Sequence, residues 1–370
     1  MKKISGLRKQ VYDVRPYSAG KFVEQVMSEL GLTDVIKIAS NENPYGPFPE
    51  SLKAMANELQ NINLYPDSNF EALRTVLGEM NGVSMEWITL SHGAEAMLQT
   101  IAKMFIAEGD EVIIPSVSYA LYTDISRIMG GLVINVAMTD DYKTDIDGII
   151  SAITPNTKLM WLANPNNPTG TVFSKEELDK LLRVLPDRAW VVLDEAYVEF
   201  SELSNMPDTV ELIKEGKNIL SARTFSKMYG LAGARIGYVI GSPNLVNVIN
   251  TVSEPFNANR IATAGAIAVL QKDQESVKEC RNKTINSRQK IEKELAGMGM
   301  NVVSSSANFI FFETPYNADY LCQEMMKNGV ILRSGSGWGC DKAIRVTVGT
   351  HEEIDRFLHV FHKVIDCSNI

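Results

Sequence analysis

The middle of the chain alternates between short apolar runs and amphipathic segments, and this alternation restricts the possible folds more than any other feature. The apolar runs, rich in β-branched residues, lie at 111–115, 131–137, 157–164, 189–195, 218–224 and 235–241. The segments between them have helical periodicity, and Ser174 is the expected N-cap of SKEELDKLLRVLP. Repeated strand–helix alternation predicts an α/β fold with a mostly parallel sheet wrapped by helices.

The length of 370 residues exceeds that of a typical single hydrophobic core, so we expect two domains. The pattern changes near residues 253–260, and a long helical stretch then precedes strands such as ANFIFFET and AIRVTVG. We predict a large ligand-binding domain at 41–255 and a smaller α+β domain at 256–370. Residues 1–40 are too few to fold alone, so we expect this segment to dock on the smaller domain.

The overall charge and the apolar content exclude some classes of function. A net charge of −9 argues against a nucleic-acid-binding protein, although it leaves room for a local basic pocket for a small anion. No stretch approaches ~20 uninterrupted apolar residues, and the first residues lack the apolar core of a signal peptide. The four cysteines are scattered without a CxxC pair, which favours free thiols. We therefore expect a cytoplasmic protein without a metal site or a membrane span.

Polar residues follow several predicted strands, at the edge where parallel sheets bind ligands. Asn167 lies in the loop NPNNPTG, which either is a simple turn or offers amide groups to a ligand oxygen. Asp194 ends an apolar strand, where a carboxylate is costly unless it is paired. It either caps a turn or meets a cationic ligand nitrogen, and Tyr197 would then reach the same ligand.

Lys227 stands in SARTFSKMYGLAGARIG, between a predicted strand and a Gly/Ala-rich segment. It is either an exposed loop residue or a nucleophile that forms a Schiff base with a carbonyl. The second role requires a lowered pKa, which burial or the nearby Arg235 would supply. Together with Arg235, the hydroxyls of Thr224 and Ser226 would suit a phosphate group.

Taken in order, Asn167, Asp194, Tyr197, Lys227 and Arg235 resemble the cofactor residues of fold-type-I aminotransferases, which depend on pyridoxal 5'-phosphate (PLP). Seven motifs narrow the resemblance to the histidinol-phosphate aminotransferase family, over almost the whole chain: SNENPYGP, LYPD, ANPNNPTG, LDEAYVEF, RTFSKMYGLAGARIGY, ILRSGSGWG and IRVTVGT. The resemblance implies a fold-type-I PLP-dependent transferase that works as a homodimer.

The resemblance also implies a reaction. An amino group would move between L-histidinol phosphate and 2-oxoglutarate, giving imidazole-acetol phosphate and L-glutamate, in histidine biosynthesis. Lys227 would hold PLP as an aldimine, and a ping-pong cycle would pass through pyridoxamine phosphate. Lys227, Asp194 and Tyr197 would be the catalytic residues.

By motif position, the resemblance assigns more residues to the cofactor. The backbone N–H groups of Gly93, Ala94 and Glu95, at a helix start, would bind its phosphate. In place of the family's usual acidic pair the run is HGAEAM, so Ala96 offers no side-chain function. Tyr119 would stack on the pyridine ring, although PSVSYALY leaves Tyr122 open for this role.

The substrate residues also follow from the resemblance. Arg345 in IRVTVGT would bind the carboxylate of glutamate or the phosphate of histidinol phosphate, since an arginine forms bidentate pairs with either. Arg333 and Tyr17 would be further phosphate contacts, and Asn43 would line the pocket. Tyr65 would cross the dimer interface to the partner's cofactor phosphate. The glycines of GSGWG do not indicate a dinucleotide loop, because no helix follows them.

Three rival functions stay open at this point. A threonine-phosphate decarboxylase also binds a substrate phosphate. An aromatic or aspartate aminotransferase would use Arg345 to bind the α-carboxylate of its substrate. A PLP-binding transcription regulator would need a DNA-binding domain, for which the residues before NENPYGP are too few.

Overall fold

The computed structural model describes residues 4–14 and 20–367. Its strands are β1 (Ile36–Lys37), β2 (Ile88–Ser91), β3 (Glu111–Pro115), β4 (Leu132–Val136), β5 (Thr157–Ala163), β6 (Trp190–Asp194), β7 (Ile219–Thr224), β8 (Gly237–Ile240), β9 (Asn301–Val303), β10 (Phe309–Glu313), β11 (Val330–Ile331), β12 (Arg333–Ser334) and β13 (Ala343–Thr347). Its helices are α1 (Val23–Leu30), α2 (Pro49–Glu58), α3 (Glu71–Asn81), α4 (Gly93–Phe105), α5 (Leu121–Met129), α6 (Ile146–Ala152), α7 (Lys175–Val184), α8 (Thr209–Lys214), α9 (Pro243–Val252), α10 (Arg260–Lys272), α11 (Gln274–Gly297), α12 (Ala318–Lys327) and α13 (His351–Cys367). Over these described ranges, no helix combines the length and the apolar character that crossing a membrane requires.

The large sheet has the strand order β2-β8-β7-β6-β5-β3-β4. Its neighbours are parallel except where β8 pairs with β2 and β7. The prediction of an α/β fold with a mostly parallel sheet is confirmed. β8 runs the other way because the segment between β7 and β8 contains only a short 3-10 turn, whereas a parallel neighbour usually follows a crossover helix.

Helices cover both faces of the large sheet, which explains why β3, β5 and β6 are mostly apolar. One face forms a core around Leu162 and Leu193, and the other face a core around Trp161 and Val192. Ser174 caps α7 as predicted, because its hydroxyl accepts the backbone N–H of Glu177 in a reciprocal capping box.

The second half of the chain has its own antiparallel sheet, in the order β12-β13-β10-β9, and its own core. The opening segment contacts both parts: β1 pairs with β11, whereas the Arg8 guanidinium donates to the Ile128 carbonyl at the end of α5. Helix α10 packs against α2 and contributes Ala262 and Ala266 to the core of the large sheet. The boundaries proposed at residues 40/41 and 255/256 stay predictions.

Candidate active site

The carboxyl ends of β5, β6 and β7 bring the predicted polar residues to one edge of the large sheet. Asn167 follows β5, Asp194 is the last residue of β6, and Lys227 follows β7. Because these three strands are parallel neighbours, their following loops meet at that edge.

Lys227 is half-buried at this edge of the sheet. Its Nζ donates to the Ser40 carbonyl oxygen at 3.4 Å and lies 5.7 Å from the centre of the Tyr197 ring. Burial, followed by the positive charge of Arg345, lowers the pKa of Lys227 to about 8. Arg235, the predicted cation, acts in the same direction but contributes less than Arg345. The amine is therefore poised to lose its proton near neutral pH, as a lysine nucleophile requires.

Asp194 is a buried carboxylate with two hydrogen-bond donors. The Tyr122 hydroxyl donates to Oδ2 at 2.7 Å, and the Ala196 backbone N–H donates to Oδ1 at 3.0 Å. Burial raises the pKa of Asp194, and the two hydrogen bonds oppose this rise. A cationic ring nitrogen would stabilise the ionised form of such a group.

Both the ring and the hydroxyl of Tyr122 contact other side chains. Its buried ring stacks on Trp161 with centroids 5.5 Å apart and an interplanar angle of 4°, while its hydroxyl binds Asp194. Tyr119, half-buried, meets the edge of Tyr122 at 5.5 Å. These contacts favour Tyr119 over Tyr122 as the ring that would cover a cofactor, an assignment that stays a prediction. The supporting role of Tyr122 is absent from the sequence predictions.

A chain of hydrogen bonds links the Tyr197 phenol to Arg345. The phenol oxygen accepts from Asn41 Nδ2 at 3.1 Å and from Asn167 Nδ2 at 3.4 Å. The Asn167 side-chain oxygen accepts from Arg345 Nη1 at 2.7 Å. Asn41 is also not among the predicted site residues, although it stands within the quoted motif SNENPYGP.

The groups predicted to bind a phosphate meet at the start of α4. Arg235 Nη1 donates to the Ser226 hydroxyl at 3.4 Å, and the Ser226 backbone N–H donates to the Thr224 hydroxyl at 3.0 Å. Gly93 opens α4 with a positive φ of 79°, and a Cβ there would lie 2.4 Å from Arg235 Nη2. Ala94 and Glu95 follow in the first turn, whose backbone N–H groups suit an anion. These groups, the half-buried Lys227 amine and the Asp194 carboxylate together fit PLP.

Arg333 and Arg345 lie opposite each other on the paired strands β12 and β13. Arg345 is buried, and its Nη2 donates to the Ala39 carbonyl at 2.7 Å. Its guanidinium carbon lies 5.4 Å from the centre of the Phe309 ring and 5.5 Å from that of Trp338. The guanidinium carbon of Arg333 lies 5.9 Å from the same Trp338 ring.

The other predicted residues lie in different surroundings. The Asn43 amide donates to the Met228 carbonyl at 2.8 Å, so it ties its loop to the residue that follows Lys227. Its pocket-lining role stays a prediction. Tyr65 is 77% exposed and stacks on Phe256 with centroids 4.5 Å apart. Tyr17 lies outside the described residues.

The loop that carries Asn43 crosses the segment after Lys227 at two glycines. A Cβ on Gly46 would lie 2.7 Å from the Cα of Gly230, and a Cβ on Gly230 would lie 2.9 Å from the Cα of Gly46. The two backbones therefore touch without any side chain between them.

The family model for aminotransferase class I and II matches residues 33–361. The chain is 35% identical to histidinol-phosphate aminotransferase of Moorella thermoacetica, covering 97% of this chain and 92% of that protein. It is 37% identical to histidinol-phosphate aminotransferase 2 of Carboxydothermus hydrogenoformans, covering 97% of this chain and 99% of that protein.

Solved structures have the same fold. Histidinol-phosphate aminotransferase of Sinorhizobium meliloti, in complex with pyridoxal-5'-phosphate, superposes with a TM-score of 0.89 at 28% identity, covering 98% of this chain and 99% of that chain. Aspartate aminotransferase of Thermus thermophilus superposes with a TM-score of 0.84 at 24% identity, covering 98% of this chain and 100% of that chain. The second likeness supports the fold alone.

Proposed function

The chain belongs to the class I and II aminotransferase family, and from this premise we propose that it moves an amino group between L-histidinol phosphate and 2-oxoglutarate, in histidine biosynthesis. It is a PLP-dependent aminotransferase of fold type I. The observation that carries the proposal is the half-buried Lys227 amine, which has a lowered pKa and lies beside Tyr197.

PLP, when bound, supplies a reactive carbonyl and a protonated pyridine ring that accepts electrons from the substrate. In our proposal Asp194 keeps the proton on the ring nitrogen, and Tyr122 holds Asp194 in place. Tyr197 and Asn167 bind the ring's phenolic oxygen. Tyr119 covers the ring face.

The phosphate of the cofactor has its own ligands in this proposal: the hydroxyls of Thr224 and Ser226, the Arg235 guanidinium, and the backbone N–H groups of Gly93, Ala94 and Glu95. Lys227 holds the cofactor at rest. When its amine is not bound to the cofactor, it would move a proton to and from the substrate carbon. The pKa of about 8 suits this role, because a general base works best near the operating pH.

The two arginines favour a substrate with a compact anionic group. Arg345 forms a bidentate pair with the carboxylate of glutamate or with the phosphate of histidinol phosphate. Arg333, and Tyr17 from the opening segment, supply further phosphate contacts, and Asn43 lines the pocket. The names of the curated relatives favour histidinol phosphate over the substrates of threonine-phosphate decarboxylase or of an aromatic or aspartate aminotransferase.

We also propose a homodimer in the cytoplasm, in which Tyr65 reaches the partner's cofactor phosphate. Three apolar side chains shortly before Tyr65 in the sequence are more than half exposed in the single chain, namely Leu59, Ile62 and Leu64. Burying such a group against a second copy would be favourable, because contiguous exposed apolar surface often marks an interface.

A coupled assay tests the function. Purified holoenzyme should form glutamate from 2-oxoglutarate with histidinol phosphate as donor, and faster than with phenylalanine, aspartate or threonine phosphate. Lys227→Ala should remove the visible absorbance of bound PLP and the activity, whereas Lys175→Ala, at an exposed lysine of α7, should retain both. Release of CO2 from threonine phosphate, or an unchanged absorbance in Lys227→Ala, would overturn the proposal.

A further inference from the structure

The segment GSGWG, at residues 335–339, has no part in the cofactor site described above. It forms a 3-10 turn between β12 and β13. The Ser336 backbone N–H donates to the Ser334 hydroxyl at 3.2 Å, and the Gly339 backbone N–H donates to the Ser336 carbonyl at 3.0 Å. The Cys340 backbone N–H closes the turn on the Gly335 carbonyl at 3.1 Å. The turn is thus hydrogen-bonded along its length, and it fixes the backbone of its last residue, Trp338.

The Trp338 ring contacts both of the arginines proposed to bind substrate. The guanidinium carbons of Arg333 and Arg345 lie 5.9 Å and 5.5 Å from its centre. The face of an indole attracts cations more strongly than that of any other side chain. Two guanidinium groups repel each other, so a ring that attracts both reduces the cost of keeping them close.

Arg345 is also held by groups other than Trp338. Arg345 donates hydrogen bonds to the Asn167 side chain and to the Ala39 carbonyl, both at 2.7 Å, and its guanidinium carbon lies 5.4 Å from the centre of the Phe309 ring. Its orientation therefore does not depend on Trp338 alone. What the indole adds is a fixed spacing between this anchored guanidinium and that of Arg333.

We infer that Trp338 is a positioning residue that sets the spacing of the Arg333–Arg345 pair and thereby favours phosphate-bearing substrates. The inference rests on the proposed function for the roles of the two arginines. A phosphate has three terminal oxygens and can bind both guanidiniums at one end of the substrate. The α-carboxylate of glutamate has two oxygens and is satisfied by a single bidentate arginine. Loss of the ring should therefore weaken phosphate binding more than carboxylate binding.

Kinetics of three variants of the holoenzyme test this inference. Trp338→Leu keeps apolar bulk but removes the ring, and should raise the KM for histidinol phosphate by roughly 5- to 30-fold while the KM for glutamate changes by less than about 3-fold. The kcat values should change little, because Trp338 touches neither reacting atom nor cofactor in this proposal. Trp338→Phe, which keeps an aromatic face, should restore most of the loss. Trp190→Leu, at the start of β6 and packed on Phe105, is the matched control and should leave both KM values unchanged.

Binding of inorganic phosphate, measured by calorimetry on the same holoenzymes, tests the arginine pair without any turnover. The phosphate Kd should rise by at least about 5-fold in Trp338→Leu and stay near the wild-type value in Trp190→Leu. An unchanged phosphate Kd, or an equal rise of both KM values, would overturn the inference even if the enzyme is active. If wild-type enzyme does not accept histidinol phosphate but Trp338→Leu still loses phosphate binding, then the proposed substrate fails and the role of Trp338 stands.

Discussion

Replacing Tyr122 by Phe removes one hydrogen bond from the residue proposed to hold the cofactor's ring nitrogen. The change keeps the ring that stacks on Trp161, so the packing of the buried side chain is preserved. It deletes the hydroxyl that donates to Asp194 Oδ2 at 2.7 Å, and the Ala196 N–H then remains as the donor to this carboxylate.

The size of the effect follows from the charge of Asp194. A hydrogen bond to a charged group contributes ~1.5–3 kcal/mol, and one between neutral groups ~1 kcal/mol. Burial raises the pKa of Asp194, and loss of the Tyr122 hydroxyl raises it further, because that hydrogen bond lowers it. Asp194 thus lowers the stability of the cofactor-free protein as pH rises through its folded-state pKa. We expect Tyr122→Phe to lower the free energy of unfolding by about 1 kcal/mol below the folded-state pKa of Asp194, where its carboxyl is neutral. Above that pKa, where the carboxyl is ionised, the loss should grow to about 1.5–3 kcal/mol.

Urea unfolding of the cofactor-free protein at a series of pH values measures this dependence. Absorbance titration then gives the Kd for PLP, which should rise roughly 10- to 100-fold at pH values where Asp194 is protonated in the cofactor-free protein, because binding must then ionise a carboxyl whose charged form has lost ~1.5–3 kcal/mol of stabilisation. Tyr142→Phe is the matched control, because the Tyr142 hydroxyl donates to the Glu313 carboxylate at 2.5 Å and not to Asp194. It should lower stability without changing the Kd for PLP.

A destabilisation by Tyr122→Phe that does not vary with pH would contradict this reasoning. So would an unchanged Kd for PLP, because Tyr122 would then not support the charge that binds the ring nitrogen.

Two further substitutions test the start of α4 and a buried carboxyl outside the site. Gly93→Ala would place a methyl group 2.4 Å from Arg235 Nη2, at a residue with a φ of 79°. We expect this change to weaken PLP binding roughly 10-fold or more in the absorbance titration. Gly297→Ala is the control, because its Cβ would meet nothing within 4 Å, and it should leave the Kd for PLP unchanged. Glu199 Oε2 is buried and accepts no hydrogen bond from the described residues, and burial raises the pKa of Glu199 to about 7. Its carboxyl is protonated in the folded chain but ionised in the unfolded chain between pH ~4.5 and 7, so stability falls as pH rises through this window. Glu199→Gln should remove ~3 kcal/mol of that fall in urea unfolding, and an unaltered pH profile would argue against a buried Glu199 carboxyl.

Most of the large sheet was predictable because its inner strands are buried on both faces. The run at 111–115 coincides with β3, and the runs at 131–137 and 189–195 extend one residue beyond each end of β4 and β6. β2 is not among the predicted strands, because four residues give too short an apolar run to stand out. The direction of β8 depends on how the chain returns after Lys227, which periodicity does not show.

The candidate site was predictable where its chemistry is local, as at Lys227 or Asp194. Contacts between residues far apart in sequence could not be predicted. The Tyr122 hydroxyl binds Asp194 across 72 residues, and an apolar pattern reveals only that the tyrosine is buried. The nearby Arg235 was the obvious cation for lowering the pKa of Lys227, whereas in the folded chain Arg345 contributes more.

The close approach of Gly46 and Gly230 limits which substitutions the sequence of this protein can accept. A clash between two side chains can be relieved by shrinking either one, so substitutions in a core often compensate each other. Here each added Cβ would meet backbone, which no second substitution can remove. Each of the two positions, 184 residues apart, therefore excludes any residue other than glycine, whatever stands at the other position. Divergence of this chain must leave both glycines in place or rebuild the loop beside Lys227.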